Sequence, residues 1–259
     1  MTAVAASLPQ TSRERRAIVR VICLVAVLAA LAVGMPSLAP LFHWAFPALD
    51  RPVYDRASFV TLTLSHIGLV LVASLTAATV GVAVGVGVTR RAGQEFAATV
   101  DTVTAIGQTF PPVAVLAVAV PVIGFGAWPT VIALIAYGIL PIIENTVAGL
   151  RSVPPAARDA ANGMGFTATQ KLLHVELPLA APIIVAGIRT SVIVSIGTAT
   201  VGSTVGALTL GSPIIEGLSG SNTAYVVQGA LVVGLLAVTV DQMFAWLDAV
   251  LRRHEDTSD

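Results

Sequence analysis

Long apolar segments separated by short polar ones dominate the chain, and no segment alternates as the strands of a membrane barrel do. A helix that crosses a bilayer needs about 20 mostly apolar residues. Six segments meet this requirement: residues 17–35, 58–88, 96–120, 128–150, 182–206 and 223–251. The pattern therefore predicts an all-α integral membrane protein with six transmembrane helices.

The first apolar segment could instead belong to a cleaved secretion signal, because four arginines between positions 13 and 20 precede it. The segment is long enough to span, and further spans follow it, so we favour a retained helix. We predict a first unit over residues 1–57, which comprises a tail, the first span and an outer loop. A core of five spans then covers residues 58–251, and residues 252–259 form a second tail.

Lys and Arg residues fall mainly on one side of the predicted spans. With a cytoplasmic N-terminus, the cytoplasmic segments contain eleven of them and the outer loops contain only Arg51 and Arg56, while Arg189 lies inside a span. This asymmetry is the one that the positive-inside rule describes. We therefore predict a multi-pass protein of the cell membrane (inner or plasma membrane) with both termini in the cytoplasm.

Composition narrows the classes of function. Hydrophobic residues make up 56% of the chain and charged residues only 11%, whereas a soluble domain carries about 25% charged residues. The formal net charge is zero and the 14 basic residues are scattered, which argues against nucleic-acid binding. The four histidines and the single cysteine lack metal-ligand spacing. No phosphate-binding loop surrounds Lys171, the only lysine, so the chain is not expected to be an enzyme that hydrolyses ATP.

The predicted cytoplasmic segment 151–181 carries the strongest motif. Its pattern indicates a short helix with prolines in the first turn, a reversal at Gly165 and a second short helix that ends at Pro178. An exposed amphipathic pair of this kind needs a protein partner or the membrane surface to cover its apolar side. The residues that carry the motif are Asp159, Ala160, Ala161, Gly165, Val175, Leu177 and Pro178.

These residues resemble the EAA loop of ABC-importer permeases, with Asp159 in place of its first glutamate and Val175 in place of its isoleucine. In that family the loop docks into a groove on the cytoplasmic ATPase and transmits its closure. The resemblance implies a type I ABC importer permease fold in which residues 151–181 form the coupling loop.

Further stretches are similar to permeases of the osmoprotectant family, which import glycine betaine, carnitine or choline. The stretches are residues 108–111, 140–146 and 187–190, together with His66. This similarity implies cytoplasmic ATPase subunits that carry ATP and Mg²⁺, a second permease subunit, and an extracytoplasmic solute-binding protein. For the chain itself it implies contact with membrane lipid and no cofactor.

Polar residues inside the predicted spans give candidates for function, because buried charges in a membrane are costly and are usually paired or functional. Arg189 and Asp241 lie at similar predicted depth, so we predict an intramembrane ion pair; separate contacts with the interface or a wet vestibule are the alternative. Gln108, Thr109 and Pro111 lie where proline interrupts a span, and we predict that they line a gate or a translocation path.

Two carboxylates, Asp101 and Glu144, lie near the predicted cytoplasmic ends of the third and fourth spans. We predict that they make the exit of a pathway favourable for a cationic solute, with simple interfacial solvation as the alternative.

A stripe of small residues, Ala77, Gly81 and Gly85, lines one face of the second span. Small residues allow helices to approach closely in lipid. The stripe predicts tight packing, either within this chain or against another subunit.

Two other functions remain open on the sequence. Glu144 stands where the osmoprotectant family usually has a basic residue, so an ABC permease for another solute, such as methionine or a nitrogen compound, is the first alternative. An ion-coupled secondary transporter is the second. Such transporters are often built from inverted repeats, and the two halves of this sequence show no repeat.

Overall fold

The structure is a computed structural model that describes residues 10–256, with side chains from residue 15 to residue 250 except residue 249. Its described residues form α-helices joined by short 3-10 turns and loops, and they contain no β-strand. The α-helices are α1 (Gln10–Gly34), α2 (Ala39–Ala45), α3 (Phe59–Thr89), α4 (Ala97–Thr109), α5 (Pro112–Ile123), α6 (Ala127–Ser152), α7 (Pro155–Gly163), α8 (Ala168–Lys171), α9 (Leu177–Ala199), α10 (Gly211–Ser219) and α11 (Thr223–Asp256).

Five helical stretches within the described residues are long and apolar enough to cross a membrane. They are Arg15–Ala45, Phe59–Thr89, Ala127–Ser152, Ala168–Ala199 and Thr223–Asp248. A sixth span is present if the bent pair α4 and α5 counts as one. The all-α membrane fold predicted from the hydrophobic pattern is therefore confirmed.

The third predicted span, residues 96–120, is not one straight helix. Its two halves, Gln94–Thr109 and Pro112–Ile123, meet at an angle of 92°. Phe110 and Pro111 both have extended backbones, because a proline disfavours the helical conformation of the residue before it and has no N–H for the helix ladder. The prolines thus turn the predicted span into two half-length helices.

The fifth span begins earlier than predicted, and Pro178 does not end the helix before it. α8, a π turn over Leu172–Glu176 and α9 form one helical stretch from Ala168 to Ala199. Pro178 is the second residue of α9, after the π turn, in a first-turn position where a missing N–H is tolerated. Arg189 follows Leu177 by 12 residues, about 18 Å along the helix axis, and so lies deeper than a span beginning at residue 182 predicts.

α6 is the centre of the bundle and packs between α3 and α9. The stripe on α3 faces it. A Cβ atom added at Gly81 would lie 2.8 Å from Ile142 Cγ2, and one added at Gly85 would lie 2.6 Å from Thr146 Cβ. Of the two predictions for this stripe, the structure supports packing within the chain.

The predicted outer end of the bundle is held by buried polar contacts. The ring of His66 is fully buried on α3; its Nε2 lies 3.1 Å from Ile196 O, and its Nδ1 accepts from Leu210 N at 3.3 Å. His66 therefore has a structural, hydrogen-bonding role.

The loop between α2 and α3 is tied to α11 through Gln228. Its Oε1 accepts from Tyr54 N at 3.1 Å and its Nε2 donates to Pro52 O at 2.5 Å. The Tyr54 ring lies edge-on to Phe59 and Tyr225. Burial, followed by the nearby Glu216 carboxylate, raises the pKa of Tyr54 to about 12.

Replacing Gly85 by alanine should weaken the α3–α6 contact, because the added methyl group would overlap Thr146. Overpacking of this kind costs about 1–3 kcal/mol. Gly87→Ala, on the same helix with no atom within 4 Å of the added Cβ, is the matched control and should be neutral or slightly stabilising. Thermal unfolding of the detergent-solubilised variants measures the difference. Equal melting temperatures for the two variants would contradict the packing described here.

Candidate functional site

The segment between α6 and α9 forms a compact helical hairpin, residues 154–176, on the predicted cytoplasmic side. α7 begins at Pro155, the chain reverses at Gly165, whose φ is +78°, and Thr167 caps α8. Phe166 N donates to Ala161 O at 3.0 Å and closes the turn. The predicted short helix and glycine reversal are therefore confirmed.

The motif residues divide into an outward-facing and an inward-facing set. The exposed ones are Asp159, Ala160, Gly165 and Pro178. The half-buried or buried ones are Val175, Leu177 and Ala161. Two large apolar side chains, Met164 and Leu173, are also more than half exposed on the hairpin. The hairpin thus presents a mixed apolar and acidic surface that the described part of the chain leaves open.

The hairpin contains a buried carboxylate that sequence reasoning missed. Glu176 is 4% exposed; its Oε2 lies 2.6 Å from Arg90 Nη1 and its Oε1 lies 3.3 Å from Arg158 Nε. Arg158 Nη2 also donates to Leu150 O near the end of α6. One feature of the sequence could have indicated this contact: Glu176 is a single carboxylate in an apolar stretch, and it lies on the same predicted side of the membrane as Arg90 and Arg158.

The structure brings Arg189 and Asp241 together. Arg189 Nε and Nη2 donate to Asp241 Oδ1 at 2.9 Å and 2.5 Å, and this contact joins α9 to α11. Both side chains are about one-third exposed. The geometry agrees with the predicted ion pair rather than with two charges that reach the interface separately.

The bend between α4 and α5 is supported by side chains of α6. Gln108 Nε2 donates to Glu144 Oε1 at 2.8 Å, and the Tyr137 hydroxyl donates to Phe110 O. Non-helical backbone at membrane depth needs such partners or water, because lipid offers neither. The Tyr137 hydroxyl gives a backbone carbonyl at the bend such a partner, and the Gln108–Glu144 contact joins the end of α4 to α6 through side chains.

A cavity of about 240 Å³ lies beside this bend, between α4, α6 and α9. Its lining includes Gln108, Tyr137 and Ser191, whose buried hydroxyl has no partner among the described residues. Two other candidate residues, Thr109 and Asp101, do not line this cavity. Thr109 Oγ1 donates to Ile106 O within its own helix, and Asp101 is exposed on α4, outside the Gln108–Glu144 contact.

Metal ligands are absent from the site as far as the described residues extend. Within residues 10–256, no group of three His, Cys, Asp or Glu side chains is placed to hold an ion.

A double-mutant cycle on Arg189 and Asp241 tests whether their contact stabilises the fold. Each single alanine variant should lower the melting temperature, and the double variant should lose less than the sum, with a coupling of about 0.5–3 kcal/mol. The surface pair Arg56–Glu216, at 3.2 Å and 73% and 40% exposed, is the matched control and should couple by less than about 1 kcal/mol. Additive losses at Arg189 and Asp241 would show that the pair contributes nothing as a pair.

The chain is similar in sequence to a family of known proteins. Residues 78–253 match the family described as "Binding-protein-dependent transport system inner membrane component". The osmoprotectant import permease protein OsmY of Salmonella typhimurium (strain LT2) is 36% identical over 217 residues, which cover 84% of this chain and 92% of that protein. The choline transport system permease protein OpuBB of Bacillus subtilis (strain 168) is 40% identical over 183 residues, which cover 71% of this chain and 83% of that protein.

Among solved structures, an inward-facing conformation of the MetNI methionine ABC transporter superposes with a TM-score of 0.67 at 22% identity, covering 74% of this chain and 95% of that chain. At this identity the likeness concerns the fold alone, and it confirms the predicted fold of a type I ABC importer permease. The family match includes the hairpin, the bend and both intramembrane charges. The chain therefore belongs to the family of inner membrane components of binding-protein-dependent transport systems.

Proposed function

We propose that this chain is the membrane-spanning permease subunit of an ATP-driven importer of osmoprotectants such as glycine betaine, carnitine or choline. The observation that carries the proposal is the similarity to OsmY and OpuBB, at 36% and 40% identity over 84% and 71% of the chain. These proteins are named as permeases for osmoprotectants and for choline. The solute class is therefore taken from relatives that match most of the chain.

The hairpin is suited to receive movement from a cytoplasmic ATPase. Asp159 and Met164 are exposed on it, and its second half continues without a break into α9. A displacement of the hairpin would therefore tilt α9 directly, whereas a flexible loop would absorb the movement. In this proposal ATP and Mg²⁺ are bound by two partner ATPase subunits, and this chain holds no cofactor.

A second permease subunit would complete the pathway next to the α4–α5 bend. Apolar residues of these half-length helices remain exposed in the single chain, including Ile106, Phe110, Val113 and Val118. An extracytoplasmic binding protein would deliver the solute to the opposite face. This arrangement requires both termini of the chain to lie in the cytoplasm, in agreement with the distribution of Lys and Arg.

Solute uptake by the reconstituted complex tests the proposal. The chain is co-expressed with its ATPase and binding protein and placed in proteoliposomes, and uptake of labelled glycine betaine, carnitine and choline is measured with methionine as the competing solute. We expect uptake that requires ATP on the hairpin side and persists when ionophores collapse ion gradients. Uptake of methionine and of none of the three osmoprotectants would show that the proposed solute class is wrong. Uptake without ATP that ionophores abolish would replace ATP-driven import with ion-coupled transport.

Neutralising the two candidate exit carboxylates tests their predicted role. Asp101→Asn combined with Glu144→Gln should lower uptake of a cationic solute by roughly threefold to tenfold, because carboxylates along a pathway raise the local concentration of cations. Assembly of the complex should not change, since both side chains are exposed. Glu95→Gln, an exposed carboxylate at the start of the same helical segment, is the control. Unchanged choline uptake in the double variant would leave interfacial solvation as their role.

A further inference from the structure

Glu176 is the most buried charged side chain of the hairpin, and its carboxylate contacts parts of the chain that are far apart in sequence. Arg90, its partner at 2.6 Å, is the C-cap residue directly after α3. Arg158, its partner at 3.3 Å, lies on α7. Arg158 reaches back to Leu150 O near the end of α6. Glu176, directly before α9, therefore contacts the end of α3 and the first helix of the hairpin, and Arg158 extends the cluster to the end of α6.

The net contribution of this ion cluster to the stability of the fold is expected to be small. Removing a carboxylate and two guanidinium groups from water is expensive, and well-packed apolar residues often stabilise a fold as much or more. The value of such a cluster lies in geometry, because a charge-assisted hydrogen bond fixes the relative positions of the groups it joins. Here Arg90 Nη1 donates such a bond to Glu176, whereas Arg158 Nε lies within ion-pair distance and makes no hydrogen bond. A buried carboxylate between two arginines is thus suited to hold elements in one arrangement.

Apolar packing joins α3 to the hairpin on one side of the Arg90–Glu176 pair, where Val82 and Val86 of α3 and Leu172 and Leu177 pack against a cluster that contains Leu150. On the other side of the pair the helix ends are separated by open space. A cavity of about 460 Å³ separates the end of α3, the start of α4 and the end of α6, and Arg90, Arg158 and Glu176 lie along its wall. Where side chains border open space, no interdigitated core transmits movement from one element to the next. Across this gap the pair Arg90–Glu176 is a direct polar connection between α3 and the segment that leads into α9.

We infer that Glu176 is a positioning residue that fastens the hairpin to the ends of α3 and α6, so that these helix ends move with the hairpin as one unit. The inference rests on the proposed function, in which a partner ATPase moves the hairpin. Without Glu176 the hairpin would still tilt α9, but α3 would follow it less closely, because only apolar packing would then join the two. ATP hydrolysis would then continue while less solute is carried for each ATP.

Glu176→Gln in the reconstituted complex is the first test. It keeps the size of the side chain and removes the charge that Arg90 and Arg158 share. We expect the ratio of solute carried to ATP hydrolysed to fall about tenfold, a size typical of residues along a coupling route. ATPase activity, measured well below the melting point, should remain near that of the wild type. The melting temperature should fall, because two partly buried arginines lose their shared counter-charge. Glu95→Gln, the exposed carboxylate on the same predicted side, should leave the ratio unchanged.

The outcomes separate this inference from the proposed function. Wild-type complex that fails to import an osmoprotectant with ATP would overturn the proposed function before any variant is examined. Normal import by the wild type, with the same ratio in Glu176→Gln and Glu95→Gln, would overturn only the role of Glu176. Equal loss of ATPase activity and transport in Glu176→Gln would also overturn it, since that is the result of a purely structural role.

Covalent replacement of the ion pair is the second test. Cys23 is the only cysteine, so a Cys23→Ser background allows Arg90→Cys and Glu176→Cys to be joined by a bismaleimide linker. The unlinked double variant should show the low transport ratio. If the helix end and the hairpin move together, linking them should restore the ratio towards the wild-type value. Transport that the link abolishes would mean that the two groups must separate during each cycle, and the inference would be wrong.

Discussion

The close approach of α6 to α3 and α9 is the contact on which the other features depend. Lipid chains are as apolar as leucine, so helices in a membrane associate through packing and polar contacts instead of through exclusion of water. Glycines meet this requirement here. A Cβ atom at Gly85 would overlap Thr146, and one at Gly187 would lie 2.5 Å from Asn145 Cβ. Because α3 and α9 hold α6 on both sides, two side chains of α6 are fixed beside the bend. Glu144 accepts from Gln108, and Tyr137 donates to Phe110 O.

Much of the fold could be predicted because the length of an apolar segment can be read from a continuous stretch of sequence. The second and fourth predicted spans, 58–88 and 128–150, match helices Phe59–Thr89 and Ala127–Ser152 within two residues at each end. The interruption of the third span at Pro111 was predicted, but its 92° angle and the passage of the helix through Pro178 were not. Proline both breaks and begins helices. The helix passes through Pro178 because a π turn precedes it, and neither that turn nor the angle of the bend has a clear sequence signal.

The candidate site was predictable only in part, for a related reason. The motif lies in one continuous stretch of sequence. Five of its seven residues lie in the hairpin, and Leu177 and Pro178 lie in the first turn of α9. The ion contacts join distant residues instead: Arg90 and Glu176 are 86 positions apart, and Arg189 and Asp241 are 52 apart. The second pair was predictable because charges inside a span are rare and demand partners. Glu176 was missed because it lies in a segment predicted to be cytoplasmic, where a carboxylate needs no explanation.

The bend between α4 and α5 affects how well a single copy of the chain fits into a lipid bilayer. Phe110 and Pro111 are exposed in the single chain, near the middle of the apolar segment 96–120. The backbone of these two residues has partners within the chain, since Phe110 N donates to Gly107 O, Phe110 O accepts from the Tyr137 hydroxyl and Pro111 O accepts from Ala114 N. Pro112, however, offers no N–H to the carbonyl one turn before it, and an unpaired carbonyl that faces hydrocarbon costs several kcal/mol. Hydration or a neighbouring polypeptide would therefore stabilise this flank of a single copy. The same prolines that divide the span thus make association energetically favourable before any solute is bound.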